Sequence, residues 1–262
     1  MTGSKPVVID VSTDLERHIL SHKGKAQGQE EQYGAKLFIF QCWKSKVTLF
    51  LQTKQKDMSL KTKFWGNTRK PRGIFGIYMV NRMNRGRHEI LANWALKDLE
   101  IDEKASALDI GCGGGANITR LLDRCDKVCG VDYSSLAVAK SARLNAQAIR
   151  DKRCEVVEGN AAALPFDDER FDLVTAFETI YFWPDITTCY RQVRRVLKNG
   201  GRFMIVNESD GTDPRYNSWE NVIGNMHTYT VEEIESDLKA AGFTSVSVTR
   251  NDGRFIRVIA VK

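Results

Sequence analysis

Four glycines fall within five positions in the stretch Asp109-Ile110-Gly111-Cys112-Gly113-Gly114-Gly115-Ala116. The run follows a short apolar strand, Ser106 to Ile110, and precedes a helix read over Ala116 to Asp123. A strand that feeds a helix through such a turn opens a βα unit whose backbone bends sharply and lies close to a ligand or a neighbouring chain segment. The same alternation continues downstream. Strand patterns appear over 127–131, 155–158, 171–176 and 202–207, and helical patterns over 134–150, 185–197 and 230–241. Gly242 stands where a helix C-terminus favours glycine.

Repeated βα units imply a parallel sheet with helices on both faces. The last two strand patterns, 244–250 and 254–261, are separated only by Asn251-Asp252-Gly253. No crossover helix fits in that space, so these two strands form an antiparallel hairpin. The expectation is an α/β chain: a Rossmann-like, mostly parallel sheet closed by one antiparallel strand.

The front of the chain differs. Residues 1–57 carry β-leaning runs around a polar stretch and no motif, and read as an N-terminal extension of unassigned role. Residues 58–103 have helical character, with Gly86 dividing two helices, and read as a helical segment able to cover a site. His88, Tyr78, Met79, Met83 and Phe64-Trp65 lie in it. Residues 104–262 form the core domain on this division. The net charge of +6, from 39 Lys+Arg against 33 Asp+Glu, belongs to the front, because the core from 101 onward is slightly acidic. Basicity there says little about nucleic acid as a partner.

Six cysteines, Cys42, Cys112, Cys125, Cys129, Cys154 and Cys189, include no C-x-x-C pair, and only four histidines are present. The spacing therefore points to no metal site and to buried free thiols, as in a reduced, cytoplasmic setting. The apolar stretch Leu37 to Leu51 is interrupted by Lys44 and Lys46 and is too short and charged to span a bilayer.

The glycine loop admits two ligand classes. Gly111, Gly113 and Ala116 satisfy the G-x-G-x-x-G/A spacing of dinucleotide sites, and Asp132, 21 residues after Gly111, suits ribose hydroxyls in either class. Asp109 weighs between them. A carboxylate beside the loop repels a pyrophosphate but attracts a ligand with a cationic amino-acid end. S-adenosylmethionine has an ammonium, a sulfonium and an adenosine, and Asp109 can meet the amino-acid end directly or through water. Asp109 can equally cap the loop, and Asp132 can serve the helix that begins near Ser134. The loop after the third strand, Gly159-Asn160-Ala161, can border an adenine, or be an ordinary turn.

Five blocks carry a family resemblance: Leu108-Asp109-Ile110-Gly111-Cys112-Gly113-Gly114-Gly115; Gly130-Val131-Asp132-Tyr133-Ser134; Leu164-Pro165-Phe166-Asp167-Asp168; Phe171-Asp172-Leu173-Val174; and Arg195-Val196-Leu197-Lys198-Asn199-Gly200-Gly201. Together they resemble class I S-adenosylmethionine-dependent methyltransferases of the small-molecule group that includes the ubiquinone and menaquinone C-methyltransferases. The resemblance implies seven strands in the order 3-2-1-4-5-7-6 with strand 7 antiparallel. It places Asp109, Gly111, Gly113 and Gly115 at the methionine end of the cofactor, Asp132 at the ribose and Tyr133 beside the adenine. Asn160 stands where the family often has Asp, and Asn199 replaces a frequent Pro. Elements before the first strand commonly cover the cofactor in this family.

Methyl transfer from a sulfonium is an in-line displacement, so placing the nucleophile near the methyl supplies much of the catalysis. The segment Phe177-Glu178-Thr179-Ile180-Tyr181-Phe182-Trp183-Pro184-Asp185 starts at the carboxyl end of the fourth strand, where that methyl points. Phe177 is assigned to the cofactor, Tyr181 and Trp183 to an acceptor wall able to stabilise a cation, and Glu178 to general base or amine contact. His227 is a second candidate base, and Asn207-Glu208-Ser209-Asp210 a candidate far wall. Strand 4 lacks the Asn/Asp-Pro-Pro-aromatic motif, and no Pro-Cys nucleophile is present. Both absences favour a small-molecule acceptor over RNA or protein. An NAD(P)-dependent oxidoreductase and a non-catalytic cofactor-binding module are the readings from other classes.

Overall fold

The computed structural model describes residues 70–83, 85–213, 220, 223, 226–251 and 254–262. All lie within the compact unit Ser59–Lys262. The expectations placed on residues 1–57 and on Phe64-Trp65, and the side chains of Met79 and Met83, lie outside these.

Two helices come first, α1 (Gly73–Met83) and α2 (Arg87–Leu96), parted at Gly86 with φ +67°. The sheet strands are β1 (Ser106–Ile110), β2 (Lys127–Asp132), β3 (Cys154–Glu158), β4 (Phe171–Phe177), β5 (Leu197–Asn207), β6 (Ser245–Arg250) and β7 (Ile256–Val261). Between them run α3 (Ala116–Leu122), α4 (Ser135–Leu144), α5 (Ala146–Arg150), α6 (Ile186–Val196) and α7 (Val231–Ala240). The strand order is β3-β2-β1-β4-β5-β7-β6, parallel except for β7, which runs antiparallel to β5 and β6. This is the seven-stranded Rossmann-like order that the resemblance implies. Its reversal of direction between β1 and β4 opens a crevice at the carboxyl strand ends.

Strand alternation builds a core on each face. Leu108 and Ile110 of β1, with Phe203 and Ile205 of β5, pack with the apolar sides of α6 and α7. Ala107, Met204 and Val206 face the other way, against Leu91, Ala95 and Leu96 of α2 and Ile118 and Leu121 of α3. Helix α2 is thereby anchored in the core, while its first turn reaches the strand ends.

The helix starts are locally encoded. Asp185 accepts the Thr188 N–H at 3.3 Å ahead of α6. Thr230 and Glu233 form a reciprocal capping box on α7, in which each side chain accepts from the other residue's backbone N–H. The expected single helix over 134–150 is instead two. Asn145 leaves helical geometry, and its Nδ2 donates to the Gly115 and Ser141 carbonyls while its Oδ1 accepts from the Thr119 hydroxyl. A tertiary bond to the glycine loop thus outweighs the local helical pattern.

Candidate active site

The glycine loop hangs from the end of β2. The Gly111 and Cys112 N–H groups donate to the Val131 carbonyl at 2.8 and 3.2 Å. Gly111, Gly113 and Gly115 have φ of +71°, +52° and +83°, the left-handed region that glycine enters at little cost. Space is decisive at two of them. A Cβ on Gly111 would stand 2.2 Å from the Thr179 Oγ1, and one on Gly115 would stand 2.4 Å from the Ser141 Oγ.

Asp132 closes the loop from the other side. Its Oδ2 accepts the Gly113 N–H at 3.0 Å and its Oδ1 accepts the Ser134 N–H at 2.9 Å. Burial raises its pKa, and these two donors oppose the rise. Lys70 lies over the ring of the neighbouring Tyr133, 5.0 Å from its centroid. In the loop after β3, the Asn160 Oδ1 accepts the Ala162 N–H at 3.0 Å, so this residue is a turn former as well as a wall residue.

These elements enclose a cavity of about 420 Å³ at the carboxyl ends of the strands, in the range of small-molecule sites. Gly111, Gly113, Asp132, Tyr133, Asn160, Ala161 and Phe177 line one part of it, and Glu178, Tyr181 and Trp183 another. The structure thus brings together ten of the residues singled out in the sequence. Glu208 and Ser209 of the candidate far wall line the cavity as well, as do Thr179 and Phe182 of the segment after β4 and His88 of the covering segment, and Pro71 and Leu91 are added.

Three of the assigned residues are not among those that line the cavity. Asp109 does not line the cavity: it is 1% exposed, and its Oδ1 accepts the Thr175 hydroxyl at 2.7 Å beneath the loop. Burial, reinforced by the Asp132 carboxylate, pushes its pKa up to about 7 against the Thr175 bond. Gly115 packs closely against Ser141 of α4 and is not among the lining residues. His227 also falls outside the lining. Its half-exposed ring stands against Tyr229, with Glu220 and Glu233 carboxylates at 3.9 and 3.6 Å. Among the described residues the histidine that lines the cavity is His88 on α2, which the sequence places only in a covering segment.

The end of β4 is built around Glu178. Its backbone φ is +55°, an uncommon conformation for a residue with a side chain and one that recurs at functional sites. The Glu178 Oε1 accepts the Tyr181 hydroxyl at 3.0 Å and the backbone N–H of Glu208. Desolvation, with repulsion from the Glu208 carboxylate, raises its pKa to about 8, against the two hydrogen bonds and the Arg87 charge. Glu208 is itself raised by burial and is held by Arg87, Nε to Oε2, at 2.7 Å. Trp183 is divided between wall and core: its ring stacks on Phe203 at 6.2 Å, and its Nε1 donates to the Thr179 Oγ1 at 3.3 Å.

Chemically, the two ends differ. The glycine loop and Asp132 offer backbone and carboxylate contacts suited to a nucleoside with an amino-acid tail. The other end offers aromatic rings, two carboxylates and an imidazole. No Lys or Arg is among the described residues that line the cavity.

Residues 108–205 match the family described as "Methyltransferase domain". A demethylmenaquinone methyltransferase of Lactococcus lactis is 38% identical over 116 residues, which is 42% of this chain and 45% of that protein. The sterol 4-C-methyltransferase strm-1 of Caenorhabditis elegans is 32% identical over 108 residues, 41% of this chain and 32% of its own length. The chain therefore spans less than half the length of these two curated relatives. A crystal structure of a SAM-dependent methyltransferase from Aquifex aeolicus superposes with a TM-score of 0.59 at 19% identity, covering 70% of this chain and 96% of that one.

Proposed function

We propose that the protein, whose residues 108–205 match the family described as "Methyltransferase domain", moves the sulfonium methyl of S-adenosylmethionine to a small-molecule acceptor. The observation that carries the reading is the electrostatic character of the cavity. Three acidic side chains, Asp132, Glu178 and Glu208, line it, each with its pKa raised by burial so that a bound cation draws it toward the charged form, and no Lys or Arg does among the described residues. Such a wall favours a sulfonium cation and disfavours a pyrophosphate. The Gly113 N–H, which a dinucleotide phosphate would need, already donates to Asp132. Both points weigh against the oxidoreductase reading.

In this reading the glycine loop holds the methionine end, with the buried Asp109 biasing the loop toward a cationic group. Asp132 receives the ribose hydroxyls, and Tyr133, Asn160 and Ala161 border the adenine. Phe177 stands at the junction, and the acceptor enters beside Tyr181 and Trp183. Holding the acceptor nucleophile about 3–3.5 Å from the methyl, in line with the departing sulfur, is the main task of the aromatic wall. Glu178 meets the acceptor at its reacting end. The segment that contains α1 and α2 covers this end through His88 and Leu91, and a soluble, cytoplasmic protein acting on a diffusible acceptor accords with the whole. Among the described residues no helix is long and apolar enough to cross a membrane.

The test is transfer of labelled methyl from S-adenosylmethionine into an extract separated into small molecules, RNA and protein. Label in the small-molecule fraction supports the proposal. Label confined to RNA or protein moves the acceptor to that class, and cofactor binding with no label anywhere identifies a binding module.

A further inference from the structure

We propose that His88, Glu178 and Glu208 form a binding site for one divalent metal cation at the acceptor end of the cavity. One potential ligand atom from each residue lies within 4.8 Å of the other two. Ligand atoms about 2.0–2.2 Å from a shared first-row cation lie roughly 3–4 Å apart. Closure onto an ion therefore takes a shift on the order of 1 Å, within reach of side-chain rotation.

The three residues come from separate elements that the fold holds rigidly. His88 is in the first turn of α2, which is anchored by the buried Leu91, Ala95 and Leu96. Glu178 follows β4 and Glu208 follows β5, adjacent parallel strands whose last paired residues are Phe177 and Val206. Each carboxylate is already oriented through one oxygen. Glu178 uses its Oε1 toward Tyr181 and the Glu208 N–H, and Glu208 uses its Oε2 toward Arg87. The other oxygen of each makes no hydrogen bond among the described residues. Outer partners on one oxygen with the second left for an ion are the usual support of a metal carboxylate.

Charge points the same way. Glu178 and Glu208 repel one another in a partly buried space, and Arg87, which pairs with Glu208 at 2.7 Å, is itself half exposed. One nitrogen and two oxygens suit Mn²⁺, Fe²⁺ or Zn²⁺ better than a thiolate-seeking ion. Three protein ligands leave positions open, as in sites where a metal handles substrate rather than fastens the fold. Sequence spacing points to no such site, because its members are 30 to 120 residues apart and meet only through the sheet.

The consequence for chemistry rests on the methyl-transfer reading. An acceptor hydroxyl that coordinates the cation loses its proton to solvent more readily. A lone pair of that oxygen then forms the bond to the methyl carbon, while the carbon–sulfur bond breaks and its electron pair stays on sulfur as a neutral thioether. Glu178 would then act as a metal ligand and not as the proton acceptor.

Binding of the metal itself tests the site. The full chain, stripped with a chelator, is titrated with Mn²⁺ and followed by electron paramagnetic resonance. Mn²⁺ is chosen because the cysteines compete poorly for it. One ion per chain is expected, with affinity lowered about 10-fold or more in His88→Ala, Glu178→Gln and Glu208→Gln. S-adenosylhomocysteine titration of the same variants shows that the pocket still folds. No Mn²⁺ binding to the wild type, or binding unchanged in all three variants, overturns the site. Failure of the wild type to bind S-adenosylhomocysteine would count against the methyl-transfer reading alone and leave the metal result standing.

Discussion

Replacing Asp109 with Asn should make the protein more stable at pH 8 and leave it nearly unchanged at pH 4. The carboxyl is 1% exposed, accepts the Thr175 hydroxyl at 2.7 Å and is pushed up to about 7 by burial and by Asp132. Its ordinary value is 3.8. Between these two values the folded chain holds a proton that the unfolded chain has released, so stability falls as pH rises through the window. A rise of that size corresponds to about 4 kcal/mol as an upper bound, and structural relaxation leaves about 2 kcal/mol as a working figure. Asn keeps an acceptor for Thr175 and carries no charge to desolvate. Urea unfolding at pH 5 and pH 8, with equal m-values, should show the wild type losing stability relative to Asp109→Asn as pH rises. Differences between the two proteins cancel the titrating groups that do not interact with Asp109. An identical pH dependence in the two proteins, or an Asn variant less stable at pH 8, would refute the assignment of a buried, neutral-range carboxyl. The same group should also release a proton when a cationic cofactor binds near pH 7. That release is read from binding heats in buffers of different ionisation enthalpy, and it should vanish in Asp109→Asn.

Gly111→Ala should abolish cofactor binding, because its Cβ would meet Thr179 at 2.2 Å on a backbone with φ +71°. Gly113→Ala has no atom closer than 4.0 Å and carries only the left-handed strain, about 1 kcal/mol, so calorimetry should separate the two variants clearly. Thr230→Ala removes the side-chain half of the capping box on α7. It should lower stability by about 1 kcal/mol in thermal unfolding and leave cofactor affinity unaltered.

The alternation of strands and helices, the terminal hairpin and the glycine loop were readable because each depends on short-range patterns, whereas the strand order came from the family resemblance. The apolar runs of β1 and β4, the glycine loop and the Asn251 hairpin each carry their own local reason. The break at Asn145 carries none, because the bond that causes it goes to Gly115, 30 residues away. Asp109 and Gly115 were found as members of a motif, yet a motif does not say which way a side chain turns. In the fold the Asp109 carboxylate meets Thr175, and the Gly115 backbone packs so close to Ser141 that a Cβ would not fit. Proximity to the loop in sequence therefore did not equal contact with the cavity. The exchange of His227 for His88 has the same origin: which histidine reaches the strand ends depends on how α2 packs across the sheet. Glu178 and Glu208 were each legible as residues after a strand, but their meeting follows from the pairing of β4 with β5.

The central claim is that this cavity binds S-adenosylmethionine through Asp132. Isothermal titration of S-adenosylmethionine into the wild type and Asp132→Ala addresses it most directly, with NAD(P) as the control ligand. One molecule should bind per wild-type chain, NAD(P) should not bind, and the substitution should weaken affinity by about 1–3 kcal/mol, the range for a hydrogen bond to a charged group. Binding of NAD(P) in place of S-adenosylmethionine, or an affinity that Asp132→Ala leaves untouched, would contradict the account.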